Sequence, residues 1–229
     1  MTPLMKNNMP KTIIFATKNE AKLIEIREFF GDGFNILSPI DLGLDFDINE
    51  DGKTFEENAI KKANALCDIC NELVMADDSG LEISALNGNP GVDSAYFMGG
   101  NTPYAKRNEA IWSIMQNVAL RERLARFVCV IAVARPKSLG AMPQDSGAKP
   151  QDLGARPQDA GASTTTFKAS VDGLICTPTA SGGFGYDPIF YIPKYKMTMA
   201  QMDTKTKNTI SHRAKALKLA YSAVCGDAL

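Results

Sequence analysis

The run Phe127-Val-Cys-Val-Ile-Ala-Val-Ala134 places no polar residue in eight consecutive positions. A run of this length with no polar residue, and half β-branched, reads as a continuous apolar strand, around which the rest of the chain must be arranged. The β-branched run at 11–16 breaks at Thr17-Lys18-Asn19 and gives way to helical spacing at Leu23, Ile26, Phe29 and Phe30, ending at Gly31. A second helix opens on the capping pair Thr54 and Glu57 and carries Phe55, Ala59, Ala63, Leu66 and Cys70 on one stripe. The short apolar strand Leu73–Ala76 runs into Asp77-Asp78-Ser79-Gly80. Thr102-Pro103 predicts a helix through about Asn117, strand signals return at 164–175 and 189–192, and a last helix from near Ser211 packs through Leu217, Ala220, Tyr221 and Val224. Strands and helices alternate along the chain, a pattern of the α/β class.

Between the strands at 127–134 and 164–175 the sequence repeats with a period of seven: Gly140-Ala-Met-Pro-Gln-Asp-Ser146, Gly147-Ala-Lys-Pro-Gln-Asp-Leu153 and Gly154-Ala-Arg-Pro-Gln-Asp-Ala160. Each unit holds glycine and proline and lacks the apolar pair of a coiled coil. Such a segment cannot bury enough apolar surface to offset its ordering entropy. Residues 136–163 are therefore expected to be a disordered insertion at a hairpin tip within one domain spanning 1–229.

Composition narrows the function. With a formal net charge of −1 and pI near 5.9, the chain lacks the basic balance of a protein that lives on nucleic acid. No window approaches the roughly 18 apolar residues of a membrane span, and the N-terminus has no secretory apolar core. A cytoplasmic protein is expected, with neither membrane nor nucleic acid as partner. Cys67-x-x-Cys70 has no second pair, and the only histidine, His212, is distant in sequence, so these cysteines read as buried small hydrophobes.

Four segments carry chemistry. At Thr17–Lys22 a strand delivers a polar turn to a helix N-terminus, where free N–H groups and the helix dipole favour an anion such as phosphate. Asn19 can hydrogen-bond there, and Lys22 lies one turn further in. Asp77-Asp78, at a strand end beside glycine, suits Mg²⁺, which needs one or two protein carboxylates plus substrate phosphates; Glu50 can supply a second. Alternation along an extended chain sends one of the two aspartates into the cavity and the other to the sheet edge or turn. The glycine-rich Ser181–Pro188 segment presents Phe184 as a stacking face, and Lys207 to Arg213 adds cations.

Taken in order, Phe-Ala-Thr-Lys-Asn-Glu-Ala-Lys (15–22), Glu-Asp-Gly-Lys-Thr-Phe-Glu-Glu-Asn-Ala (50–59), Ala-Asp-Asp-Ser-Gly-Leu (76–81), Gly-Gly-Phe-Gly-Tyr-Asp-Pro-Ile-Phe (182–190) and Ile-Ser-His-Arg (210–213) resemble the motifs of the inosine triphosphate pyrophosphatase family, the non-canonical purine nucleoside-triphosphate pyrophosphatases. The resemblance implies an α/β fold with a mixed twisted sheet and flanking helices, two lobes around a central cleft, a homodimer, Mg²⁺, and hydrolysis of ITP, dITP or XTP to monophosphate and pyrophosphate. By position, the triphosphate falls to Thr17, Lys18, Asn19, Glu20, Ala21 and Lys22. Glu50 and Asp78 fall to the metal, with Asp78 also accepting the proton of the attacking water. Lys62 is a catalytic cation, and Lys62, Ser79 and Lys207 meet phosphates or orient the water. Phe184, Gly185, Tyr186, Asp187, His212 and Arg213 grip the nucleoside. A bidentate contact from Arg213 to O6 and N7 would favour 6-oxo purines over adenine and leave the exclusion of GTP unexplained.

Two positions depart from the family: Lys18 stands where glycine is usual and is expected to point to solvent, and Tyr96 stands where arginine is common. A nucleotide-binding module without catalysis, or a pyrophosphatase for other modified nucleotides, remains the alternative.

Overall fold

The computed structural model describes residues 11–136, 162–179 and 182–225; nearly all of the heptad-repeat insertion lies outside them. In chain order the elements are β1 (Lys11–Phe15), α1 (Glu20–Phe30), β2 (Phe34–Leu37), α2 (Phe55–Cys70), β3 (Val74–Ile83), α3 (Tyr104–Met115), β4 (Leu124–Arg135), β5 (Ser163–Ile175), β6 (Phe190–Ile192), β7 (Met197–Thr198), α4 (Thr204–Ile210) and α5 (His212–Cys225). One seven-stranded sheet has the order β2-β1-β3-β4-β5-β6-β7. β1 is parallel to β2 and β3, and every later pairing is antiparallel, so the sheet is mixed, as the family resemblance implies.

The apolar run lies at the centre of β4, paired with β3 from Val74↔Ala134 to Ile83↔Ala125 and with β5 along its whole length. Its side chains divide by alternation. Cys129, Ile131 and Val133 join Phe15 and Met75 beneath α1 and α5, through Leu23, Ile26, Leu217 and Ala220. Val128, Val130 and Ala132 join Ile14 and Ala76 beneath α2, through Phe55, Ala59, Ala63 and Leu66. Beyond these layers, β3 to β5 continue into a second core built on Leu81, Ile83, Phe127, Val171 and Phe190 with Ile111 and Met115 of α3. Two core regions sharing three long strands make the two lobes.

The helix starts follow their sequence signals, with one exception. Asn19 caps α1 by accepting from the Lys22 N–H, and Thr54 caps α2 by accepting from Glu57, whose own carboxylate reaches back to the Lys53 N–H. α3 begins one residue later than expected, and the Thr102 hydroxyl donates to the Met98 carbonyl rather than capping the helix. β3 corrects the expectation of a strand ending at Ala76. It runs through the acidic pair to Ile83 because β4 continues beside it and supplies the ladder partners. β2, β7 and α4 are short elements with no strong sequence signal. Cys67 and Cys129 are buried free thiols, and burial pushes the Cys67 thiol up to about 11. No helix among the described residues is long and apolar enough to cross a membrane.

Where the lobes meet, Gly80 lets β3 pass against the turn at 91–95. An added Cβ would lie 2.4 Å from both the Gly91 carbonyl oxygen and Ser94 Oγ, and 2.9 Å from the Phe55 ring. Backbone at that distance cannot yield cheaply. Gly80→Ala is expected to lower stability by about 1–3 kcal/mol in urea unfolding, the usual cost of overpacking a filled site; an unchanged midpoint would show that the turn is free to move.

Candidate active site

A cleft of about 280 Å³ opens between the lobes. The β1–α1 turn enters it with Thr17, Lys18, Asn19 and Lys22, α2 with Lys62, and β3 with Asp78 and Ser79. Glu50 comes from the segment before α2, Phe184 to Asp187 from the glycine-rich turn, Lys207 from α4, and His212 and Arg213 from the start of α5. Glu20 and Ala21, named with this group from the sequence, do not line the cleft; the Glu20 side chain pairs outward with Arg27, 3.4 Å away. They present first-turn N–H groups that no intrahelical carbonyl can reach. The cleft also takes in residues the sequence did not single out, among them Phe46, Ser94, Ala95, Tyr104 and Phe127.

Adjacent on β3, Asp77 and Asp78 face opposite sides of the sheet. Asp77 goes neither to the edge nor to the turn. It is buried beneath α1 and α5, where Lys22 Nζ lies 2.9 Å and Arg213 Nε 3.3 Å from its carboxylate. Burial opposes its charge, but Lys22, Arg213 and Lys62 outweigh burial and hold the carboxyl well below the usual range. Asp78 faces α2. Its two oxygens receive Lys62 Nζ at 3.2 Å and Asn58 Nδ2 at 3.3 Å, and Asn58 in turn accepts from the Gly52 N–H, tying the Glu50 segment to the same helix. Lys62 is shared with Glu50 at 3.1 Å. Burial outweighs the attraction of Lys62 and Lys22, and the negative charge of Glu50 and Asp77 adds to it, so the Asp78 carboxyl is pushed up to about 6. The same carboxylates overcome the burial of Lys62 and raise its ammonium.

A second buried cluster sits at the opposite end. Glu25 of α1, which the sequence reading missed, binds Lys207 at 2.7 Å and also the Arg213 guanidinium. Lys207 Nζ further meets Asp187 at 2.8 Å and lies 4.6 Å from the centre of the Phe184 ring. Asp187 accepts from the Phe184 N–H at 2.9 Å, so the aromatic face is held by its own turn. Arg213 spends Nε on Asp77, Nη1 on Glu25 and Nη2 on Ser79. The base contact expected of it falls to the two N–H groups that these bonds leave. His212 stacks on Phe127 with 4.8 Å between ring centres, and its Nδ1 is buried without a partner. Burial first, and then Arg213 and Lys207, holds its pKa well below the usual value, so the ring is neutral.

Lys18 lies at the mouth, half exposed, 3.4 Å from Asp45 and 3.8 Å from Asp47. Among the described residues there is no cluster of three or more histidine, cysteine, aspartate or glutamate side chains fit to enclose a metal ion. Glu50 and Asp78 instead converge on one ammonium from either side, the donor set of a hard cation that completes its shell with water and substrate oxygens. The residues present fit Mg²⁺.

The Ham1 family profile matches residues 13–223. A dITP/XTP pyrophosphatase of Desulforamulus reducens is 39% identical over 210 residues, 91% of this chain and 92% of that protein. One of Staphylococcus aureus is 38% identical over 218 residues, 95% of this chain and 98% of its own length. In three dimensions the chain is similar to the Ham1 protein of Staphylococcus aureus (TM-score 0.75, 37% identity, covering 95% of this chain and 100% of that one). It is also similar to a HAM1 protein of Coxiella burnetii (TM-score 0.74, 33% identity, with the same coverage).

The two aspartates are distinguishable in solution. A carboxyl ¹³C NMR titration of the metal-free protein should find Asp78 with a midpoint near 6 and Asp77 ionised throughout the accessible range. Lys62→Met, which removes the cation that stabilises the Asp78 carboxylate, should move that midpoint upward. An Asp78 midpoint at the ordinary value of about 3.9 would contradict this account of the pair.

Proposed function

The chain belongs to the Ham1 family, and from that premise we propose that it hydrolyses non-canonical purine nucleoside triphosphates (ITP, dITP and XTP) to the monophosphate and pyrophosphate with Mg²⁺. The observation that carries the reading is Asp78: a buried carboxyl set beside Lys62 and Glu50 in a cleft that also holds Lys22 and Lys207. Burial pushes it up to about 6, so it is largely ionised at neutral pH and able to take a proton there. The homodimer and the cytoplasmic location expected from the sequence belong to the same reading.

The chemistry follows from the residues. The helix N-terminus at Asn19–Lys22, with Thr17, suits the terminal phosphates, since free N–H groups and an ammonium meet them together. Phe184 offers the base a flat aromatic surface, with Lys207 over its ring and Asp187 holding its N–H. Between these ends, Asp78 orients a water toward the α phosphorus and accepts its proton as the new P–O bond forms. The α–β bridging P–O bond breaks and pyrophosphate leaves. Lys62, held beside Asp78, keeps the carboxylate aimed and meets the charge that spreads over the phosphate oxygens. Glu50 and Asp78 would hold Mg²⁺, which supplies further positive charge against those oxygens. Each cation here is paired with a carboxylate before substrate arrives, so the site is ordered in advance and reorganises little.

Purified protein offered ITP, dITP, XTP, GTP, ATP and dUTP with Mg²⁺ should release pyrophosphate from the first three in preference. Asp78→Asn should lower kcat roughly a hundredfold or more while nucleotide binding stays measurable. Absence of pyrophosphate release with ITP and XTP would overturn the enzymatic reading in favour of a binding module, and near wild-type kcat in Asp78→Asn would remove that residue from the mechanism.

A further inference from the structure

Arg107 of α3 is 2% exposed, and its guanidinium has no carboxylate partner among the described residues. The other buried cations, Lys62, Lys207 and Arg213, are each met by carboxylates. Arg107 is met by backbone. Nη1 donates to the carbonyls of Ser94 at 3.3 Å and Ala95 at 2.8 Å, and Nη2 to Gly99 at 2.9 Å and Gly100 at 3.2 Å. The guanidinium carbon lies 4.7 Å from the centre of the Tyr104 ring. The next residue, Asn108, is 3% exposed and donates through Nδ2 to the Gly185 carbonyl at 3.1 Å. Neither residue lines the cleft, and the unpartnered Arg107 Nε and Asn108 Oδ1 are buried.

Three of the carbonyls they hold, those of Ser94, Ala95 and Gly185, belong to residues that line the cleft. Each is turned toward a buried donor that does not line it, and Ser94 accepts from the Tyr186 hydroxyl as well. The Phe184, Tyr186 and Asp187 carbonyls accept from the N–H groups of the turn that follows. An exocyclic amine placed against this wall would lose its water and meet carbonyls turned toward other donors. Burying an unmatched donor costs roughly a five- to hundredfold loss of binding.

We propose that Arg107 and Asn108 are positioning residues that set base selectivity by directing the Ser94, Ala95 and Gly185 carbonyls away from the cleft, so that purines bearing an exocyclic amine are rejected. Hypoxanthine has no such amine and xanthine carries oxygens in its place, whereas adenine and guanine each carry one. The inference rests on the proposed purine triphosphate substrate. It adds a reason for turning away GTP, which a contact to O6 and N7 does not supply.

The test is kcat and KM for ITP and GTP on the wild type, Arg107→Met and Arg107→Lys, with folding checked by thermal melting. Arg107→Met frees carbonyls on the cleft wall, so the ITP-to-GTP ratio of kcat/KM should fall at least roughly fivefold, chiefly through a lower KM for GTP. Arg107→Lys, with one ammonium for four carbonyls, should give an intermediate ratio. Loss of both activities by a common factor, with the ratio unchanged, would reduce Arg107 to general structural support and overturn the proposal. If Arg107→Met is not recovered folded, Tyr186→Phe decides, since it removes only one donor from the Ser94 carbonyl. A smaller fall in the ratio is then expected, and an unchanged ratio overturns the proposal. A wild type inert toward ITP and XTP would defeat the substrate reading and this inference together, whereas an active wild type with invariant ratios defeats the inference alone.

Discussion

Two carboxylates side by side on one strand cannot share an environment, because successive side chains of β3 leave on opposite faces. This separation organises the rest of the site. Asp77 goes to the layer of α1 and α5 and is held there by Lys22 and Arg213. Asp78 goes to the layer of α2 and shares Lys62 with Glu50. Both are buried, and a buried charge persists only with a partner, so each helix that covers the sheet must bring a cation to a fixed place. The packing of helices on the sheet and the alignment of the cleft cations thus follow from one requirement.

The two aspartates also divide the electrostatic work. With two close cations, Asp77 stays charged and acts as an anchor. With Lys62 shared with Glu50 and Lys22 engaged by Asp77, Asp78 is left able to change its protonation near neutral pH. Five buried or half-buried carboxylates meet four cations in two clusters: Glu50 and Asp78 share Lys62, while Asp77, Glu25 and Asp187 are linked through Lys22, Arg213 and Lys207. A polyanionic substrate would enter by competing for cations that are already placed. Pre-placement of this kind lowers the reorganisation needed during phosphoryl transfer.

Much of this was legible in the sequence. The uninterrupted apolar run of β4 read as a strand, and the helix periods marked α1, α2 and α5. The acidic pair and Glu50 stood in ordered motifs, Lys62 followed from the resemblance by position, and Asn19 stood in the turn read as an anion site. The extent of β3 was not legible, because a strand ending in polar residues looks like a strand ending; its continuation depends on the ladder with β4, a non-local property. Glu25 left a faint trace. It lies three residues after Lys22, on the same side of α1, and an acidic residue between Leu23 and Ile26 reads as solvated until Lys207 and Arg213 arrive from nearly two hundred residues away. Arg107 and Asn108 left none, since a polar pair on a helix reveals nothing of the carbonyls that later point at it.

The central claim is that a water aimed by Asp78 attacks the α phosphorus. Hydrolysis of ITP in oxygen-18 water, with both products read by mass spectrometry, tests it directly. The account predicts a single heavy oxygen in the phosphate of inosine monophosphate and none in pyrophosphate. Label in pyrophosphate, or release of labelled orthophosphate in its place, would contradict it.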